Sequence, residues 1–115
     1  MQYLLTIYST ESNQANWKPE QFQQYMKDYM AFTASIKASG NFVAGDGLQP
    51  TNTATSISVK SGKLVTTEGP FAETKEQLGG YYLIEVNDLD EAISIAQRIP
   101  TAKHGTVEIR PVMTF

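Results

Sequence analysis

Strands and helices alternate along this 115-residue chain in an order that predicts an α+β fold. Three observations carry the prediction. Several short runs rich in β-branched and aromatic residues alternate apolar with polar positions, as half-buried strands do. Two longer segments repeat apolar residues at three- and four-residue steps, the spacing of a helical stripe. A Ser-Gly pair separates two of the short runs in the manner of a two-residue hairpin turn. With that hairpin set aside, the order reads βαββαβ, the ferredoxin-like pattern, on a single domain covering residues 1–115.

The elements follow in order. Residues 3–8 read as the first strand, ending in the polar cluster Ser9 to Asn16. Pro19 suits the first turn of a helix and Glu20 its positive end. Phe22, Tyr25, Met26, Tyr29, Phe32, Thr33 and Ile36 form the stripe of a helix over residues 19–39, and Gly40 terminates it. Phe42 to Leu48 is a Gly-interrupted strand leading to a turn at Gln49 to Asn52. Thr55, Ile57 and Val59 alternate with Ser56, Ser58 and Lys60; Ser61-Gly62 then turns the chain into Lys63 to Thr67. A long loop follows, with a helical turn expected around Thr74 to Leu78, before a strongly apolar strand from Gly80 to Val86. Asp88 is placed to cap a second helix, with Glu91 three residues on. Leu89, Ala92, Ile93, Ala96 and Ile99 are its expected buried stripe, and Pro100 its end. Thr106 to Val112 is the last strand.

Composition narrows the function. Nine Lys+Arg against 12 Asp+Glu leave a formal charge of −3 with no basic cluster, which argues against direct nucleic-acid binding. The absence of cysteine removes disulfides and thiolate chemistry, and a single histidine does not supply a zinc ligand set. Gly45, Gly47, Gly79 and Gly80 fit neither a P-loop nor a dinucleotide fingerprint, so no cofactor is expected. No run approaches the roughly 20 apolar residues of a membrane span, and the first residues lack the basic flank of a signal peptide. The expectation is a cytoplasmic protein without a membrane partner.

A sheet covered by helices on one face only would leave its other face wet. Here both faces of the central strands are apolar or aromatic: Tyr3, Leu5 and Ile7 against Leu4, Thr6 and Tyr8, and Tyr82, Ile84 and Val86 against Tyr81, Leu83 and Glu85. The pattern predicts a two-fold homodimer in which the open faces meet.

The run from Glu68 to Tyr82 frames three carboxylates and Lys75 with Gly69, Pro70 and the Gly79-Gly80 pair. With Tyr3 to Tyr8, Tyr29-Met30-Ala31-Phe32, Gly45 to Pro50, Asp90-Glu91-Ala92, Arg98-Ile99-Pro100 and Glu108 to Pro111, it resembles the YCII-related, or DGPF-domain, family over nearly the whole chain. Glu68 stands where the name-giving aspartate usually sits. The resemblance implies a dimeric α/β-barrel. Some relatives carry a His-Asp pair in a pocket between sheet and helices, and the DGPF branch is associated with extracytoplasmic-type sigma factors, which implies a sigma factor as an alternative partner. The only histidine here, His104, precedes the last strand rather than lying in the first helix, so the pair does not carry over intact.

The expected function is binding of a polar or aromatic small molecule beside the sheet, with weak general acid/base chemistry. Asp46, between two glycines, and Glu73, in the long loop, are the candidate catalytic carboxylates. Tyr8, Glu68, Tyr82 and Arg110 are the candidate ligand-binding residues, the tyrosines as flat walls with polar tips and Arg110 as a clamp for an anionic group. The competing roles are structural: a turn for Asp46, ion pairs of Glu68 and Glu73 with Lys75 or Arg110, pairing of Arg110 with Glu73 or Glu76, and plain packing for the tyrosines. Lys75 reads as a surface cation and His104 as part of an exposed turn.

Overall fold

A computed structural model describes residues 1–115. Its elements are β1 (Gln2–Ser9), α1 (Glu11–Ala15), α2 (Pro19–Ala38), β2 (Phe42–Gly47), β3 (Thr55–Lys60), β4 (Lys63–Glu68), β5 (Gln77–Glu85), α3 (Leu89–Ala96) and β6 (Thr106–Pro111), with short 3-10 segments at Thr51–Thr53 and Pro100–Lys103. Four strands form an antiparallel sheet in the order β2-β5-β1-β6, and β3 and β4 pair only with each other. Without the hairpin, the sheet order is that of the ferredoxin-like fold. Ser61 and Gly62 both take positive φ, 50° and 75°, the mirror-image turn whose twist matches a hairpin.

The core lies on one face of the sheet. Tyr3, Leu5 and Ile7 of β1 and Tyr82 and Ile84 of β5 meet Phe32 and Ile36 of α2 and Ala92, Ile95, Ala96 and Ile99 around α3. The stripe of α3 therefore runs 92, 95, 96, 99, a correction to the expected one: Leu89 and Ile93 are about half exposed. The i, i+3, i+4, i+7 spacing that includes Ile95 keeps small alanines against the strands. The helix stops at Ala96, and Pro100 opens a 3-10 segment rather than ending a long helix. Asp88 caps α3, its Oδ1 accepting from the Glu91 N–H at 2.9 Å.

Two further differences have local causes. The expected helical turn at Thr74 to Leu78 is absent. The Thr74 hydroxyl and the Gln77 side-chain amide donate to backbone carbonyls within the loop, and Gln77 and Leu78 already pair with Ser9 and Tyr8 of β1. The polar cluster after β1 holds the one-turn helix α1, whose Glu11 carboxylate accepts from the Thr51 N–H at 2.9 Å and the Thr51 hydroxyl at 2.8 Å. That carboxylate ties the root of the hairpin to the end of β1.

Phe22, Met26 and Met30 of α2 are exposed at four-residue steps, so Phe22 and Met26 of the expected stripe stay outside the core, which takes Phe32 and Ile36. The hairpin is exposed on both faces, one of them carrying Ile57, Val59 and Leu64. The molecule is a slab of 47 × 45 × 19 Å with a radius of gyration of 16.1 Å, where a compact chain of this length would have about 13 Å. Its accessible surface is 8229 Å², about 2,000 Å² more than a compact monomer of 12.7 kDa exposes. No helix is long and apolar enough to cross a membrane.

Candidate functional site

Strand alternation sends Leu4, Thr6 and Tyr8 to the face without helices, together with Leu78, Tyr81 and Leu83 of β5. The register lines these residues into rows across the sheet. One row reads Asp46, Tyr81, Thr6, Glu108; the next reads Ala44, Leu83, Leu4, Arg110. A third sets Tyr8 between Leu78 and Thr106. Apolar side chains alternate with polar ones over a nearly flat floor, with Leu4, Thr6, Tyr8, Tyr81 and Leu83 all partly exposed.

The polar row is the most structured part of this floor. The Tyr81 hydroxyl donates to Asp46 Oδ2 at 3.1 Å. That bond, and the carboxylate charge itself, raise the Tyr81 phenol above its ordinary range and hold it as a donor. In the middle of the row the Thr6 hydroxyl is shielded from solvent and has no hydrogen-bond partner. At the far edge Arg110 Nη2 lies 2.7 Å from Glu108 Oε1. The pairing of Arg110 with Glu108 departs from the expected pairing with Glu73 or Glu76; residues two apart on one strand share a face. Glu76 instead accepts from the Thr106 hydroxyl at 2.7 Å.

The six sequence-predicted residues do not share one place. Asp46, Tyr8 and Arg110 lie on the open face, but Asp46 and Arg110 occupy opposite edge strands, about 14 Å apart or more by strand spacing. Tyr82 faces the helices: it is buried, and its hydroxyl lies 2.6 Å from Thr33 Oγ1. Burial raises its phenol above the ordinary range. Gly45, beside Asp46, lies against the Tyr82 ring, so close that an added Cβ would be 2.6 Å from Tyr82 Cδ1. Glu68 ends β4 on the exposed hairpin, and Glu73 is exposed in the loop after it; neither forms an ion pair.

On the helical side, at the same end of β1, lies a cluster the sequence did not announce. Tyr25 and Tyr29 both hydrogen-bond through their hydroxyls to the buried Thr101 side chain. Trp17 and His104 close around Tyr25, with ring centroids 4.8 Å (Trp17–Tyr25) and 5.9 Å (His104–Tyr25) apart. The helical stripe contained Tyr25 and Tyr29, but nothing local marked Trp17, Thr101 and His104 as their neighbours. No three His, Cys, Asp or Glu side chains cluster closely enough to hold a metal ion.

An antiparallel sheet in this order, with its helices on one face, defines a mixed α+β protein of ferredoxin-like type. The chain belongs to the YCII-related domain family, which matches it over residues 1–115. It is 34% identical over 117 residues to a protein of Rhizobium meliloti (strain 1021) described as uncharacterised, an alignment covering 100% of this chain and 94% of that one. Among solved structures it resembles 5-chloro-2-hydroxyhydroquinone dehydrochlorinase from Burkholderia phenoliruptrix AC1100, in complex with 2,5-dihydroxybenzoquinone. The TM-score is 0.51 at 14% identity, over 98% of this chain and 94% of the other, a likeness of fold.

Proposed function

We propose that the chain acts as a homodimer that binds a small polar aromatic molecule on the open face of its sheet, between the two copies, with Asp46 as the proton acceptor. The observation that carries this reading is the Tyr81–Asp46 pair, standing on the open face at one end of the row Asp46, Tyr81, Thr6, Glu108. Tyr81 and Asp46 provide a donor and a base at hydrogen-bond spacing. The apolar residues Leu4, Leu83 and Tyr8 supply the flat surface that an aromatic ring covers.

The second copy is supported by the molecule's surplus surface. An excess of about 2,000 Å² on one protomer is of the size that obligate dimers bury. Stacking two sheets face to face about a two-fold axis along the strands sets each β2 edge over the partner's β6 edge. Asp46 of one protomer then lies across from the partner's Glu108–Arg110 ion pair, which a single protomer keeps on the far side of its sheet. The guanidinium would steady the negative charge that develops as Asp46 removes a proton. Glu73, exposed and without a hydrogen-bond or ion-pair partner, is the weaker candidate for proton removal.

Thermal shift against hydroxylated aromatics and quinones, 2,5-dihydroxybenzoquinone included, tests the proposal. At a hundredfold excess over Kd a true ligand stabilises the fold by about 2.7 kcal/mol, and the melting temperature rises with its concentration. Tyr81→Phe and Asp46→Asn should both keep the fold and lose most of that rise. If no compound in the panel shifts the transition, or the shift survives in both variants, the sheet face is not the binding site.

A further inference from the structure

A separate groove opens on the helical side, between the first half of α2 and the 3-10 segment Pro100–Lys103. It is a shallow, open groove of about 380 Å³, and Trp17, Tyr25, Asp28, Lys103 and His104 are among its walls. Trp17 and His104 are the only tryptophan and the only histidine of the chain. Their rings stand 5.6 Å apart at 77°, and Trp17 meets Tyr25 at 75°. The rings touch edge to face, so they form an angled aromatic corner rather than a closed stack.

The charged groups of this groove are unequally placed. Its one carboxylate, Asp28, is bonded through Oδ1 to the Gln24 amide at 2.9 Å, and the Tyr25 hydroxyl is bonded to Thr101. Its one ammonium, Lys103, forms no ion pair, and neither the Trp17 indole N–H nor the His104 ring hydrogen-bonds within the protein. An aromatic corner beside an unpaired cation matches a planar ring that carries an anionic oxygen pair. A cationic guest would find only Asp28, already bonded to Gln24, and would face Lys103.

We propose that this groove is a binding site for a small aromatic carboxylate, its ring against Trp17 and Tyr25 and its carboxylate on Lys103 with His104 beside it. It uses none of the residues of the sheet-face site and stands independently of it.

The lone indole gives the test a single reporter. Titration of the full-length, ¹⁵N-labelled protein with benzoate should move the Trp17 indole N–H signal along a saturating curve. Benzamide, neutral and of the same shape, should bind roughly tenfold more weakly, and Lys103→Ala should weaken benzoate by a similar factor. Asp46→Asn should leave the curve unchanged. Lys103 is exposed, and a spectrum otherwise superimposable on that of the unaltered protein verifies that its variant is folded. A shift that never saturates, an equal response to benzamide, or a Lys103→Ala variant that titrates like the parent would overturn the proposal.

Discussion

A methyl group added at Gly45 would lie 2.6 Å from Tyr82 Cδ1 and 3.0 Å from the Tyr81 carbonyl oxygen. The Tyr82 ring has little room to retreat, because Phe32 stands 5.2 Å away, edge on, and Thr33 holds the hydroxyl. Gly45→Ala should therefore destabilise the fold by about 1–3 kcal/mol in urea unfolding, the usual cost of overpacking. Paired with Tyr82→Leu, it should cost less than the sum of the two changes. The buried phenols make a second prediction. Burial, opposed by the Thr101 hydrogen bond and helped by the neighbouring Tyr25 and Tyr82, raises Tyr29 well above its ordinary value of 10.0. The neutral phenol is the form the folded state prefers, so the associated stability is whole below pH 10 and fades as pH climbs past it, when unfolded tyrosines ionise first. Tyr29→Phe should flatten that alkaline loss, measured as unfolding free energy between about pH 8 and pH 11.

Among the elements, the β3–β4 hairpin depends most on help from outside. Two strands alone are marginal in water, and this pair is fastened only at its base. There the Gly69 N–H donates to the Ala54 carbonyl at 2.7 Å and the Ser56 hydroxyl to the Gly69 carbonyl at 2.8 Å, closing the two arms on each other, while Glu11, taking both donors of Thr51, ties them to the end of β1. Glu11→Ala should speed hydrogen exchange at the Thr51 amide by roughly tenfold or more, since hydrogen bonds to charged groups contribute about 1.5–3 kcal/mol. The hairpin itself was legible because its information is local: alternating residues and a Ser-Gly turn. So was α2, from its stripe and Pro19. Helix α1 was not, because Glu11 acts on a residue far along the chain. Asp46 stood out between two glycines, yet its bond to Tyr81 depends on a register that shifts between Phe42 and Ala44, which no local pattern announces. The gathering of Trp17, Tyr25 and His104 was hidden for the same reason: three segments meet there, and each looks ordinary alone.

At the scale of the whole molecule, surplus surface and an open, partly apolar sheet face are the grounds for the proposed homodimer. Sedimentation at micromolar concentration should give a mass twice the 12.7 kDa of one chain. Leu83→Arg, a charge placed in the middle of the open face, should halve it without unfolding the protein. A single 12.7 kDa species at all concentrations would instead leave the sheet face to solvent. The thinness of the slab has a consequence for sequence variation as well. A body 19 Å thick has almost no interior, and only 15 of its 115 residues are buried. Mutation thus meets little resistance over most of the chain, and chains of very different sequence can hold this architecture. A shared fold at 14% identity is what such a permissive scaffold allows. New chemistry can be tried on its broad skin without endangering the frame beneath.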